Sequence, residues 1–267
     1  MHTVRFLVSY DGTDLYGWQI QPQPDRRTGQ GELEKALAQV LKVPIRTVCA
    51  GRTDAGVHAT GQVVSFQTPK LIPEEAWVPA LNSVLPRDIA VWQAEVVDDT
   101  FHARHSAISR SYRYAVVLEG PRSPLKSRYA SWVEGPLDLD AMEEVWSSLL
   151  GTHDFVHFSS TGSDPSNPIC TVSQARLERA GDTLHFHITA DHFLYNMVRR
   201  LVGTTIRVGK GVLSVEGFRA TWAGIGPKPS GPTAPPHGLI LRDVGYPPHF
   251  HWKRKSETQL WDPTVPS

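Results

Sequence analysis

Between residues 4 and 97 the sequence switches repeatedly between strand and helix periodicity, and that order constrains the fold more than any composition value. Val4 to Tyr10 alternates and is rich in β-formers, and Asp11-Gly12-Thr13 then turns the chain. Leu33, Leu37, Val40 and Leu41 repeat at helical spacing, which predicts an amphipathic helix from Gly31 to Lys42 that Pro44 stops. Gly29 and Gly31 weaken its first turn. Thr47 to Ala50 and Gln62 to Gln67 read as strands on either side of a glycine-rich turn. Pro73-Glu74-Glu75 opens a second helix, with proline in the first turn, acids toward the dipole, and Trp77, Leu81, Val84 and Leu85 as its apolar stripe. Ile89 to Val97 is the next strand. Strand, helix, strand, strand, helix, strand is the split βαβ pattern of ferredoxin-like and RNA-recognition folds.

The second part follows a related order without an internal sequence repeat. Tyr112 to Val117 is β-rich, and alternation puts Tyr112 and Tyr114 on one face with Arg113 on the other. Glu119 to Pro136 carries Arg122, Lys126 and Arg128 among prolines and glycines and reads as a long basic loop. Leu139, Met142, Val145, Trp146, Leu149 and Leu150 form an amphipathic helix ended by Gly151. A polar segment from His153 follows, running through Asp164-Pro165 and Asn167-Pro168. Ile169 to Glu178 and Leu184 to Thr189 read as paired strands joined by Gly181-Asp182. Ala190 to Gly203 reads as a loop feeding a helix, and Gly238 to Leu241 as a short final strand after a Gly/Pro-rich loop from Gly224 to Pro236. The expected fold is α+β: a mixed, largely antiparallel central sheet with flanking helices, built from two ferredoxin-like (RNA-recognition-like) halves. Residues 1–105 form the first half, 106–247 the second, and 248–267 a flexible tail.

Lys+Arg and Asp+Glu balance at 27 each, so no global field points to a polyanionic partner, and any such site must be built from local clusters. The two cysteines, Cys49 and Cys170, lack a Cys-x-x-Cys spacing and are expected to be buried thiols in a reducing cytoplasm. No apolar run approaches membrane-spanning length. His185/His187 and His249/His251 would each share one side of a strand, but without a third ligand they do not make a metal site. Gly209-Lys210-Gly211 has the wrong spacing from Gly203 and no following Ser or Thr, so it is not a phosphate-binding loop. No metal and no cofactor are expected.

The concentrated chemistry lies in Ala50-Gly51-Arg52-Thr53-Asp54-Ala55-Gly56-Val57-His58. Gly51 and Gly56 would let the turn present the Asp54 carboxylate closely to a bulky ligand, and Arg52 nearby would favour its charged form. Ordinary turn chemistry with a surface ion pair is the alternative reading of the same residues. Arg199 lies among apolar neighbours, where a guanidinium wants a carboxylate. Arg26 and Arg27, in a Pro/Gly-rich loop, are either a solvated face or phosphate contacts.

The string Gly-Arg-Thr-Asp-Ala-Gly-Val-His, followed by Gly61-Gln62-Val63-Val64, resembles the catalytic motif of the TruA family of tRNA pseudouridine synthases. Similarity extends from Val4 to Pro247 and includes Phe101-His102-Ala103-Arg104, Arg110-Ser111-Tyr112-Arg113-Tyr114, Phe193-Leu194-Tyr195-Asn196-Met197-Val198-Arg199 and Thr233-Ala-Pro-Pro-His-Gly-Leu. Asp191-His192 before Phe193, and Ser111 before Tyr112, depart from the commonest forms. The resemblance implies an enzyme isomerising uridine to pseudouridine at positions 38, 39 and 40 of the tRNA anticodon stem-loop. It implies a homodimer that uses no cofactor and has tRNA as its partner. It carries over Asp54 as the catalytic carboxylate, Arg199 as its partner and Tyr112 as the residue facing the base. Arg52, Phe101, His102, Arg104, Arg110, Phe193, Leu194 and Met197 would contact the substrate, and Arg26, Arg27, Lys126 and Arg128 its phosphates. The alternative is a non-catalytic protein that binds structured RNA.

Overall fold

The computed structural model describes residues 1–23, 25–118, 120, 123–160, 167–225 and 232–252. In chain order the elements are β1 (His2–Tyr10), α1 (Gly29–Leu41), β2 (Val48–Cys49), β3 (His58–Thr68), α2 (Trp77–Asn82), β4 (Ile89–Val97) and β5 (Ser109–Val117). Then follow β6 (Ser131–Trp132), α3 (Leu139–Ser147), β7 (Gly151–Asp154), β8 (Ile169–Ala180), β9 (Thr183–Ala190), α4 (Met197–Gly209), α5 (Val215–Trp222) and β10 (Leu239–Gly245). The fold is α+β. Among the described residues two compact units are present, Met1–Arg110 with the returning segment 240–252, and Ser111–Leu239. Along the sequence the expected division fell at 105/106, whereas the structure groups the returning C-terminal strand with the first unit.

In the first unit β1 is central, antiparallel to β3 on one side and β4 on the other, and β2 pairs antiparallel with β3. The order β4-β1-β3-β2, with both helices in the crossovers, is the split βαβ arrangement. Ile240 and Leu241 of β10 add a parallel pairing to His58 and Ala59. The core packs Phe6, Phe66 and Trp77 with centroids 5.1 to 5.9 Å apart, and Leu33 and Leu37 of α1 are fully buried. Each such side chain contributes about 2–3 kcal/mol by leaving water.

The first helix begins at Gly29, two residues before its expected start, because Thr28 caps it by accepting from the Gly31 N–H at 3.2 Å. Gly29 is not merely a weak helix former: a Cβ there would lie 2.8 Å from the Trp18 ring. Buried Glu34 accepts from the Thr47 N–H at 2.8 Å and hydroxyl at 3.0 Å, fixing where β2 starts. The second helix ends at Asn82, before the expected Val84 and Leu85. There the Asn82 amide exchanges two 2.8 Å bonds with the backbone of Val91.

The second unit orders its strands β5-β9-β8-β7, with β7, β8 and β9 antiparallel and β6 parallel to β5. Gly181, at φ 61, makes the two-residue β8–β9 turn. Trp146 of α3 packs on Phe186 at 4.9 Å and donates its indole N–H to His187 O at 3.0 Å. Phe158, Phe218 and Trp222 form a second aromatic cluster.

Three segments differ from expectation. The basic loop contains a 3-10 turn over Lys126–Arg128 and the strand β6, while Glu119, Pro121 and Arg122 lie outside the described residues. Residues 151–154, read as the end of a helix and a polar segment, form β7. Residues 215–222, which carried no expectation, form a helix capped by Ser214. Part of that polar segment, 161–166, and of the Gly/Pro-rich loop, 226–231, also lies outside. The start of the expected tail is docked rather than frayed. Buried Arg5, paired with Glu95 at 2.6 Å, donates to Phe250 O and to His251 O, and Trp252 lies over its guanidinium at 4.0 Å. The remaining tail residues, 253–267, lie outside the described residues. No helix among the described residues is long and apolar enough to cross a membrane.

Candidate active site

Asp54 occupies the connection from β2 to β3, and the backbone around it is closely held. Ala50 N donates to Val63 O at 2.8 Å, and the Gln62 amide nitrogen donates to Gly51 O at 2.7 Å. Thr53 is anchored twice: its hydroxyl bonds the Tyr10 hydroxyl at 2.7 Å, and its carbonyl accepts from Trp18 N at 3.0 Å. Val57 N donates to Asp54 O at 3.1 Å, closing the turn, and Gly56 takes φ 77, a conformation that disfavours any residue with a Cβ. The freedom expected of both glycines is used at Gly56, whereas Gly51 is not among the residues with positive φ. Two outside glycines press on the loop. A Cβ on Gly17 would lie 2.8 Å from Thr53 O, and one on Gly12 only 2.0 Å from Val57 O. Asp54 itself is half-buried and Arg52 exposed.

Arg110 ties this loop to the Phe101–Arg104 turn. Its Nη2 donates to Ala50 O at 2.9 Å and Arg104 O at 2.8 Å, and its Nη1 to Ala107 O at 3.2 Å. Phe101 is 3% exposed and packs on Tyr246 and Phe250 at 5.0 and 5.1 Å, so its ring anchors the turn from beneath. His102 Nδ1 accepts from the N–H groups of Arg104 and His105, both at 3.2 Å. Burial, with the neighbouring His105, holds His102 below the usual histidine range. That turn leaves the Arg104 side chain exposed.

In the second unit Tyr112 is 9% exposed and meets the Phe193 ring edge-on at 5.1 Å. Arg199, on the first turn of α4, donates from Nε to Ala234 O and from Nη1 to Asn196 Oδ1, each at 2.8 Å. Asn196 can supply that oxygen because it stands at φ 61 just before the helix. Leu194 is half-buried, and Met197 is 1% exposed and packs inward. Neither Asn196 nor Ala234 was singled out as an orienting residue, although both lie in motif strings noted above. Thr53 and Gln62 lie in the motif strings without having been given a role, and Tyr10, in β1, left no functional signal in the sequence.

A sequence profile described as tRNA pseudouridine synthase matches residues 6–106 and 145–247. The chain belongs to the tRNA pseudouridine synthase family. It is 41% identical over 246 residues to a tRNA pseudouridine synthase A of Exiguobacterium sp., covering 92% of this chain and 98% of that one. Proteins of the same name from Halalkalibacterium halodurans and Bacillus subtilis are 44% and 43% identical over 241 and 245 residues. These alignments cover 90% and 91% of this chain, and 91% and 98% of the relatives. The family's reaction is the isomerisation of uridine to pseudouridine.

For a tRNA pseudouridine synthase the four candidate phosphate contacts are not equivalent. Arg27 is in a two-pronged bridge to Asp88, both bonds 2.6 Å, which raises the arginine and lowers the carboxyl pKa. Lys126 is likewise held by both Asp182 oxygens, at 2.7 and 2.6 Å. Arg26 is exposed, bonded to Gln21 at 2.6 Å and 5.3 Å from the Tyr16 ring centroid. Arg128 is exposed on its 3-10 turn.

Proposed function

We propose that the chain acts on uridines at positions 38, 39 and 40 of the tRNA anticodon stem-loop, as a cytoplasmic homodimer, with Asp54 as the nucleophile. The observation that carries this reading is the loop around Asp54, whose hydrogen bonds and glycine contacts hold the backbone while the carboxylate stays part-exposed. The reaction breaks the C1′–N1 bond, turns the uracil and joins C1′ to C5. The C5 proton is lost and N1 gains one, so there is no net redox change. A carboxylate that holds the sugar or the base covalently during the turn splits one difficult step into two easier ones. Arg199 keeps Asp54 ionised, a role suited to a guanidinium already aimed by Asn196 and Ala234. Tyr112, backed by Phe193, lies against the uracil and takes the C5 proton. Leu194 supplies an apolar wall, with Met197 behind it.

A uridine in a stem must leave the helix to reach this carboxylate. Arg52, exposed beside Asp54, fills the space it vacates. Arg104 holds a phosphate, with Phe101 and His102 shaping the turn that presents it, and Arg110 positions that turn through its three carbonyl contacts. Arg26 and Arg128 give outlying phosphate contacts.

The test is tritium release from tRNA labelled at uracil C5. Wild-type protein is expected to release it and Asp54→Asn to release none while still binding tRNA; full release by the variant removes Asp54 from the chemistry. Replacing the uridines at 38, 39 and 40 one at a time assigns the positions.

A further inference from the structure

Where β8 begins and β9 ends, the hairpin brings together a thiol and an imidazole that stand far apart in the sequence. Pairing of Val172 with Ala190 sets Cys170 beside His192, with Sγ 3.4 Å from Nε2. On the far side of the ring, Nδ1 lies 3.0 Å from Asp191 Oδ1. That oxygen is itself fixed, accepting from Thr171 N at 3.0 Å and His192 N at 2.7 Å. With a cation bound at Nε2, the carboxylate facing Nδ1 would keep the proton on that nitrogen and orient the ring. Two carbonyl oxygens border the same place, Asn167 O 3.2 Å from Nε2 and Pro168 O 3.9 Å from Sγ.

A sulfur ~2.3 Å and a nitrogen ~2.0 Å from one tetrahedral ion stand about 3.5 Å apart. The Cys170–His192 separation therefore already matches that of two ligands. We propose that Cys170 Sγ and His192 Nε2 are the side-chain ligands of a site for a thiophilic divalent cation of the zinc class, with the carbonyl oxygens of Asn167 and Pro168 completing it and Asp191 positioning the imidazole. On binding, the S–H bond breaks, its proton goes to solvent and the S–metal bond forms, with no change in oxidation state. The His192 and Asp191 side chains are 30% and 46% exposed, which gives the ion a route in. The expectation of no metal rested on the cysteine spacing and on the His-x-His pairs, whereas this site joins Cys170 to a histidine outside those pairs.

Titrating the purified full-length chain with Co²⁺ alone tests the site. One equivalent should bring a thiolate-to-cobalt charge-transfer band with the visible bands of a four-coordinate ion. Cys170→Ser should abolish the charge-transfer band, and Asp191→Asn should lower affinity about 10- to 100-fold. His192→Ala, a change at a part-exposed side chain, should also lose tight binding and serves if Cys170→Ser does not fold. Absence of the band in the wild-type chain overturns the site. So does a band that survives in Cys170→Ser, where buried Cys49 is the other cysteine, or one undiminished in His192→Ala.

Discussion

The Asp54 loop and the segment from Leu194 to Arg199 each carry a charged candidate, but they are held by different means. Around Asp54 the backbone is fixed by buried bonds from neighbouring strands and by glycines pressed so close that a Cβ has no room. Around Arg199 the guanidinium is aimed instead by a side-chain amide and one carbonyl, and Asn196 starts α4 in a left-handed conformation without capping it. A reacting carboxylate must be held to within about 0.5 Å, which a braced backbone provides. A supporting guanidinium tolerates more play, because charge acts over distance.

The largest effect on stability is expected at Gly12→Ala. The new methyl would overlap Val57 O, and shifting that carbonyl strains the Asp54 turn; overpacking of this kind costs about 3 kcal/mol. Urea unfolding measures it, and a cost below that of the Asn196 change described next would break the comparison. Asn196→Ala should cost about 1–2 kcal/mol for the left-handed conformation. It should also lower kcat, because Arg199 loses the Asn196 anchor. Asn196→Gly separates the two effects, keeping the backbone while still removing the anchor. Restored stability with kcat still low is the expected pattern, and restored kcat would show that the amide does not aim Arg199.

Much of this contrast was open to reading from the sequence, but only where local pattern and tertiary demand agree. Both ends of β4 and the last residue of β1 fall where the sequence places them, although β1 buries four consecutive residues, Thr3 to Phe6, rather than alternate ones. β7 was missed since its four residues are largely exposed and show no alternation. α5 left little signal although Ser214 accepts from Gly217 N and Phe218 is buried, because Gly217 and the β-branched Val215 and Thr221 lower helix propensity over its eight residues. The Asp54 motif was visible as a contiguous string. Its bracing by Gly12, Gly17 and Tyr10 was not, since those residues reach it from β1 and the loop beyond. Cys170 and His192 were invisible as a pair for the same reason, their proximity being a product of strand register.

Acid should also distinguish the units. Burial, then the Arg176 charge, lowers His187 in β9 to about 4, while nearby Glu178 works the other way. Its folded pKa is below the unfolded value near 6.5, so the unfolded chain binds the extra proton first. Its stabilising contribution is complete above that value and is lost as pH falls from there toward 4, on the order of 1 kcal/mol. Unfolding midpoints between pH 7 and 4 for the wild type and His187→Gln check this, the variant showing a shallower fall. An equal slope in both would place the acid sensitivity elsewhere.

The smallest effect separates two arginines of the first unit, Arg27, expected at a phosphate, and Arg104, expected at the substrate. Arg27 gives its guanidinium to Asp88, and a part-exposed bridge of this kind contributes about 0.5–1 kcal/mol. Arg27→Ala should therefore lower stability slightly and leave the salt dependence of tRNA binding unchanged. Arg104 is exposed on a turn held from beneath by Phe101 and from the side by Arg110. Removing it should leave stability nearly unchanged and reduce the slope of log K against log salt by about 0.7–0.9, the value of one phosphate contact. Binding measured across a salt series with both variants decides between them. If Arg27→Ala changes the slope and Arg104→Ala does not, the phosphate track lies along the Arg26–Arg27 loop, and the bridge to Asp88 opens when tRNA binds.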